Sequence, residues 1–84
     1  MNTRNVAAKI NDVICDKFDI DILEKGLADK HFFSRDVNLY ARNLVYILFE
    51  TEQLFGVKLN EGDVLSDQFY TLNGLSELIC SKTS

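Results

Sequence analysis

The sequence predicts an all-α bundle of three amphipathic helices and one short helix around a single core. Three observations carry this. Apolar residues recur at i, i+3 and i+4 spacing in three separate stretches. One of these, residues 36–56 (DVNLYARNLVYILFETEQLFG), runs without a turn signal. No segment shows the period-two alternation of a half-buried strand.

The first helix begins after a cap at Thr3 or Asn5. Val6, Ala7, Ile10, Val13, Ile14 and Phe18 form its stripe, Asn11, Asp12 and Asp16 face away, and it ends near Lys17 or Phe18. Residues 19–35 (DIDILEKGLADKHFFSR) break the periodicity at Asp19, Asp21 and Gly26. They read as a long connection with one helical turn, anchored in the core by Phe32 and Phe33. A loop this long in a compact domain makes its own contacts or carries function.

The second helix is the spine of this reading. Counted from Asn38 to Phe55 it is about 27 Å long at roughly 1.5 Å per residue. Val37, Leu44, Leu48, Thr51 and Phe55 lie inward, with Tyr40, Val45, Ile47 and Leu54 widening the stripe, and Gly56 supplies a left-handed end. Leu59 points inward from the next connection. Asp63–Phe69 makes a short helical turn with Val64, Leu65 and Phe69 on its apolar side. Thr71 or Asn73 caps a last helix with a stripe of Leu72, Leu75, Leu78 and Ile79, and the polar tail from Ser81 to Ser84 frays.

Composition narrows the function. A chain of 84 residues makes one domain, residues 1–84 with a core over about 4–80, and 46% apolar residues suffice to fold it. The net charge of −4 argues against nucleic acid, whose binding needs clustered Lys and Arg. Two cysteines, Cys15 and Cys80, are too few for a disulfide scaffold and read as reduced thiols. No run reaches the length of a membrane span. The first 14 residues lack a signal-peptide core, so a cytoplasmic monomer with no membrane partner is expected. His31 stands alone beside two phenylalanines, with no metal-ligand spacing around it. No pair of side chains suggests a nucleophile with its base, so the chain reads as non-enzymatic.

Three short stretches resemble the acyl carrier protein family. Phe33-Ser34-Arg35-Asp36-Val37-Asn38 is similar to that family's F-x-x-D-L-G approach to its second helix. Glu52-Gln53-Leu54-Phe55-Gly56-Val57 is similar to the E-x-x-F-G-V that closes it. Thr71-Leu72-Asn73-Gly74-Leu75 resembles the start of the family's fourth helix. The resemblance implies a four-helix bundle with a long first loop, covering roughly Val6 to Ile79. It also implies an Asp-Ser-Leu motif whose serine carries 4′-phosphopantetheine. Both flanking matches place that motif on Tyr40-Ala41-Arg42, so the serine position is Ala41, which has no oxygen to modify.

Three functional readings follow. The first is an interaction module of the carrier type that lacks the attachment serine, expects no cofactor, and binds a partner enzyme through its second helix. Tyr40, Arg42, Asn43, Tyr46, Phe49 and Gln53 are the candidate contacts, an aromatic and neutral face where the family presents acids. Arg42 can also hold a carboxylate or phosphate. This resembles the small serine-lacking carrier relatives of bacterial peptide-maturation systems. The second reading is an acyl or peptidyl carrier with phosphopantetheine on Ser34, which requires the helix to begin earlier than the spacing implies. The third is a plain helical adaptor, which a regular helix over residues 19–35 would favour.

Overall fold

The computed structural model describes residues 2–83. Four α-helices and one 3-10 turn, with no strand among the described residues, follow in the order α1 (Thr3–Phe18), α2 (Ala41–Phe55), α3 (Glu61–Val64), the 3-10 turn (Asp67–Tyr70) and α4 (Leu72–Thr83). The all-helical bundle expected from periodicity is present. The spine is not α2, however. α1 packs chiefly on α4, α4 also holds the 3-10 turn, and α2 leans on α1 across a smaller contact. The reason lies in where the apolar residues fall. Those of α1 and α4 sit on single stripes, Val6, Ala7, Ile10 and Ile14 against Leu72, Leu75, Leu78 and Ile79, and all are buried. Those of α2 surround the helix, so only Leu44, Ile47 and Thr51 are buried.

α1 is capped by Asn2, whose side-chain oxygen accepts from the N–H groups of Arg4 at 2.7 Å and Asn5 at 3.4 Å. Thr3 and Asn5, the expected caps, therefore fall inside the first turn. The helix ends on Asp19, left-handed at φ 59°, which donates its N–H to the Cys15 carbonyl. Asn11 does not face away. It is buried, and its Oδ1 accepts from Ile22 N–H at 2.8 Å and Leu23 N–H at 3.2 Å, while its Nδ2 donates to Asp21 at 2.9 Å. Asp21 in turn accepts from Glu24 N–H at 3.0 Å and starts the single turn that closes on Gly26, at φ +68°.

The long connection, residues 19–40, contains no regular helix. It is fastened at intervals instead. Ile22 and Phe32 are fully buried and Val37 and Leu39 nearly so, whereas Phe33, expected as an anchor, is exposed. Phe32 N–H donates to the Tyr70 carbonyl at 2.7 Å, and Asn73 donates to Ala28 O at 3.0 Å and to Asp29 at 2.7 Å. The Cα radius of gyration is 11.4 Å, against about 12 Å for a packed chain of this length, so the connection lies down on the bundle.

α2 starts three residues later than the periodicity implies. Asn38 is left-handed at φ 59°, Leu39 N–H is taken by Phe32 O at 2.9 Å, and Tyr40 is extended, so none of the three is helical. At its other end Gly56 is left-handed at φ 64° and Val57 N–H reaches back to Glu52 O at 3.2 Å, a Schellman closure. The Glu52 carboxylate accepts from Leu59 N–H at 2.9 Å and leads the chain into α3. There Asn60 and Asp63 cap each other reciprocally, at 2.8 and 3.0 Å. Val64 is half-buried and Phe69 buried as expected, but Leu65 is exposed. Thr71 caps α4 by accepting from Gly74 N–H at 2.9 Å. α4 stays helical to Thr83, where fraying was expected from Ser81; Ser84 lies outside the described residues.

Two expected results arise from these packings. Thr51 is fully buried and its hydroxyl has no hydrogen-bond partner. Thr51→Val keeps the branched shape and removes the unmet hydroxyl, so it stabilises the fold by about 1 kcal/mol. A urea titration with an unchanged slope and a higher midpoint checks this.

The second concerns acid. Asp63 accepts from Lys82 Nζ at 2.8 Å, the one ion pair found among the described residues. That ammonium, then the Asn60 N–H, holds the carboxyl below its usual range. Asp21 is lowered in the same direction, first by the Glu24 N–H and then by the Asn11 amide. Both pKa values are depressed on folding. Their stabilisation is therefore complete above about pH 4, the unfolded value, and is lost as pH falls through the lower folded values. Asp63→Asn flattens that loss: between about pH 5 and pH 2.5 its melting temperature falls less than that of the wild type.

Candidate functional site

The site builds outward from the first turn of α2. Ala41, at the expected attachment position, is the first helical residue and is exposed. Tyr40 precedes it in extended backbone and gives its N–H to Asn43 Oδ1 at 2.9 Å. No side-chain hydrogen bond caps the helix from Tyr40, and the first turn contains no acid. Arg42 is exposed, with its guanidinium carbon 5.7 Å from the Tyr40 ring centre. A methyl group at position 41 offers neither a nucleophile nor a hydroxyl, so the residue present does not fit a phosphopantetheine ester.

Beside this turn lies an apolar cleft of about 230 Å³. α2 supplies one wall through Ala41, Leu44, Val45 and Leu48. The other wall is Phe33 from the long connection, Val64 from α3, and Phe69 and Tyr70 from the 3-10 turn. The aromatic wall is braced from behind. Tyr70 meets Phe33 at 5.8 Å and Phe69 at 5.5 Å between ring centres, both edge-on. His31 stacks on Tyr70 at 5.1 Å with 8° between planes, and its Nδ1 accepts from Phe33 N–H at 3.0 Å. His31 is thus a structural brace at the rim, a role its sequence context did not suggest.

The outer face of α2 differs from the expected one by a rotation. Tyr40, Arg42, Phe49 and Gln53 are exposed as expected. Asn43 is half-buried and committed to Tyr40. Tyr46 is half-buried as well, with its ring edge-on to Phe18 at 5.7 Å and the Lys17 ammonium 5.1 Å away. In its place Val45, expected inward, is 65% exposed, and Phe49 is 58% exposed. Leu54, also expected inward, is half exposed. Ala41, Val45 and Phe49 stand one turn apart, so they form a continuous apolar ridge beside the cleft. Beyond the ridge, Phe49 shares a shallow recess with Glu52, Gln53 and Lys58.

This geometry separates two substitutions that look alike in sequence. Phe49→Ser leaves the melting temperature within about 3 °C of wild type, because an exposed ring contributes little to the core. Tyr46→Ser lowers it by about 5 °C, through loss of its packing on Phe18 and of the ring beneath the Lys17 ammonium. Parallel thermal melts of the two variants check this.

A comparison with protein-family models, curated proteins and solved structures found no match. The functional reading therefore rests on this chain's own residues.

The remaining candidates are placed as follows. Ser34 is half-buried in the turn ahead of α2, its hydroxyl accepting from Val37 N–H at 3.4 Å, well before the first helical residue. Cys15 and Cys80 are not joined by a disulfide. Desolvation, and then the carboxylates of Asp21, Asp19, Asp12 and Asp16, push the Cys15 thiol above its usual range, which disfavours the reactive thiolate. Among the described residues no three His, Cys, Asp or Glu side chains gather to hold a metal, and no helix is long and apolar enough to cross a membrane.

Proposed function

We propose that this chain is a non-enzymatic interaction module of the acyl-carrier type. In this reading it delivers no cargo, because its attachment position is Ala41, and it binds a protein partner through α2. The observation that supports it is the ridge of Ala41, Val45 and Phe49, with Tyr40 beside it, exposed next to an apolar cleft. Isolated exposed apolar residues are ordinary, but a contiguous ridge with an adjoining cleft marks a contact surface. α2 also buries few of its own residues, so it can lend this surface at little cost to the fold. A bacterial peptide-modifying or other biosynthetic enzyme is the partner class that the resemblance brings to this reading.

The test is intact mass spectrometry after incubation with coenzyme A and a phosphopantetheinyl transferase of broad specificity. The expected mass is that of the unmodified chain. A gain of one phosphopantetheine overturns the reading, and its disappearance in Ser34→Ala would move the attachment point there.

A further inference from the structure

We infer that the partner segment on α2 is a short amphipathic helix whose bulky apolar side chain enters the cleft and whose carboxylates meet Arg42 and Lys58. This rests on the reading of α2 as a contact surface and names what that surface takes.

Size decides the first part. At about 230 Å³ the cleft is below the range of roughly 300–1,000 Å³ that holds a drug-sized molecule. It suits one large side chain, and buried anchors of that kind dominate binding energy at protein interfaces. The ridge runs along α2 at the cleft's edge, because Ala41, Val45 and Phe49 recur about one turn apart. A partner helix laid along such a ridge meets it at i, i+3, i+4 and i+7 positions.

Charge decides the second part. The chain carries −4 overall and α2 itself holds Arg42, Glu50 and Glu52, yet the charged side chains that are exposed along it and just past its end, Arg42 and Lys58, are cations. Arg42 flanks the ridge at its start, exposed and beside Tyr40. Lys58 flanks Phe49 at its far end, exposed as well. Neither makes an ion pair with a carboxylate of this chain among the described residues. Glu52 is the one acid in the recesses along α2; it is half-buried and its carboxylate is engaged by Leu59 N–H. Two exposed cations therefore bracket an apolar ridge, while the acids of α2 itself, Glu50 and Glu52, are half-buried and the others lie on α1, the long connection, α3, the 3-10 turn and α4. Such a surface attracts an acidic segment and repels a basic one, which sets both specificity and approach.

The probes are two fluorescein-labelled peptides of about 16 residues, long enough to span the helix. They share one Leu/Phe stripe, and their polar positions are all Glu in one and all Lys in the other. Anisotropy titrations at about 50 mM and about 300 mM NaCl read the preference and its screening. The Glu peptide is expected to bind about tenfold more tightly than the Lys peptide at low salt, with the gap shrinking at high salt. Arg42→Glu with Lys58→Glu reverses the order. Val45→Ser with Phe49→Ser weakens both peptides about tenfold with the thermal melt retained.

Equal affinities, a preference for the Lys peptide, or no binding of either up to about 1 mM overturns the inference. So does concentration-dependent dimerisation that Phe49→Ser abolishes, which would make a second copy the occupant. These outcomes are distinct from failure of the carrier-type reading, since that reading is judged by phosphopantetheine transfer and this one by the peptide and dimer results.

Discussion

Asn11→Ala lowers the melting temperature by about 15 °C, the largest effect expected of any surface-looking position in the chain. The cause is the work of one amide. It satisfies the buried N–H of Ile22 and the N–H of Leu23, and it holds the Asp21 carboxylate that starts the next turn. Removing it strands the Ile22 N–H, which costs about 1–3 kcal/mol, and two further bonds add about 1 kcal/mol each. The total is about 3–5 kcal/mol, and its low end alone, at about 4–8 °C per kcal/mol for a domain of this size, gives about 15 °C. The released connection should also be cut sooner by trypsin at Lys25, which lies inside the turn that Asn11 and Asp21 support. A melting temperature within about 3 °C of wild type, with unchanged trypsin resistance, would mean that Asn11 faces water after all.

Gly74→Ala is destabilising although it replaces glycine with the best helix former. Helix propensity alone favours alanine by about 1 kcal/mol. Position 74 has no room for it. A methyl group there would press on the Gln68 carbonyl oxygen, and would lie 2.7 Å from Thr71 Oγ1 and 2.8 Å from Gln68 Cα. Two of these contacts are backbone, so they cannot swing aside, and the third is the hydroxyl that caps α4. The 3-10 turn must move off α4, at a cost of about 2–3 kcal/mol typical of overpacking. The melting temperature falls by about 10 °C, and a rise of about 4–8 °C would show that propensity wins and the turn yields. Because Phe69 and Tyr70 wall the cleft, the variant should also bind any α2 ligand less well.

How much of this was legible in the sequence depended on where information was local. The stripes of α1 and α4 read correctly, since each helix buries one face against the other. Asn11 shows the limit of residue type. It lies four after Ala7 and three before Ile14, on the buried stripe, yet a polar side chain suggests water. Its partner, Ile22 N–H, sits across a loop that periodicity does not see. The start of α2 was missed for a related reason: Asn38 is left-handed and Leu39 pairs with Phe32, both set by tertiary contacts. The contact face was misjudged separately: α2 is apolar nearly all round, so its stripe did not tell that Val45 faces out and Tyr46 packs on Phe18. Ala41, where two flanking motifs led the attachment position to be expected, is the first residue of α2. The cleft was not legible, because its walls come from four elements whose placement is set by tertiary packing.

The central claim is that residue 41 occupies a carrier-type attachment position that has been disarmed. The most direct measurement compares the wild type with the triple variant Tyr40→Asp, Ala41→Ser, Arg42→Leu, which restores Asp-Ser-Leu at the start of α2. Both are incubated with coenzyme A and a transferase of broad specificity, then weighed intact and mapped by peptide mass. The account predicts an unmodified wild type and a triple variant carrying one phosphopantetheine on residue 41. A modified wild type, or a folded triple variant that gains nothing, would contradict it.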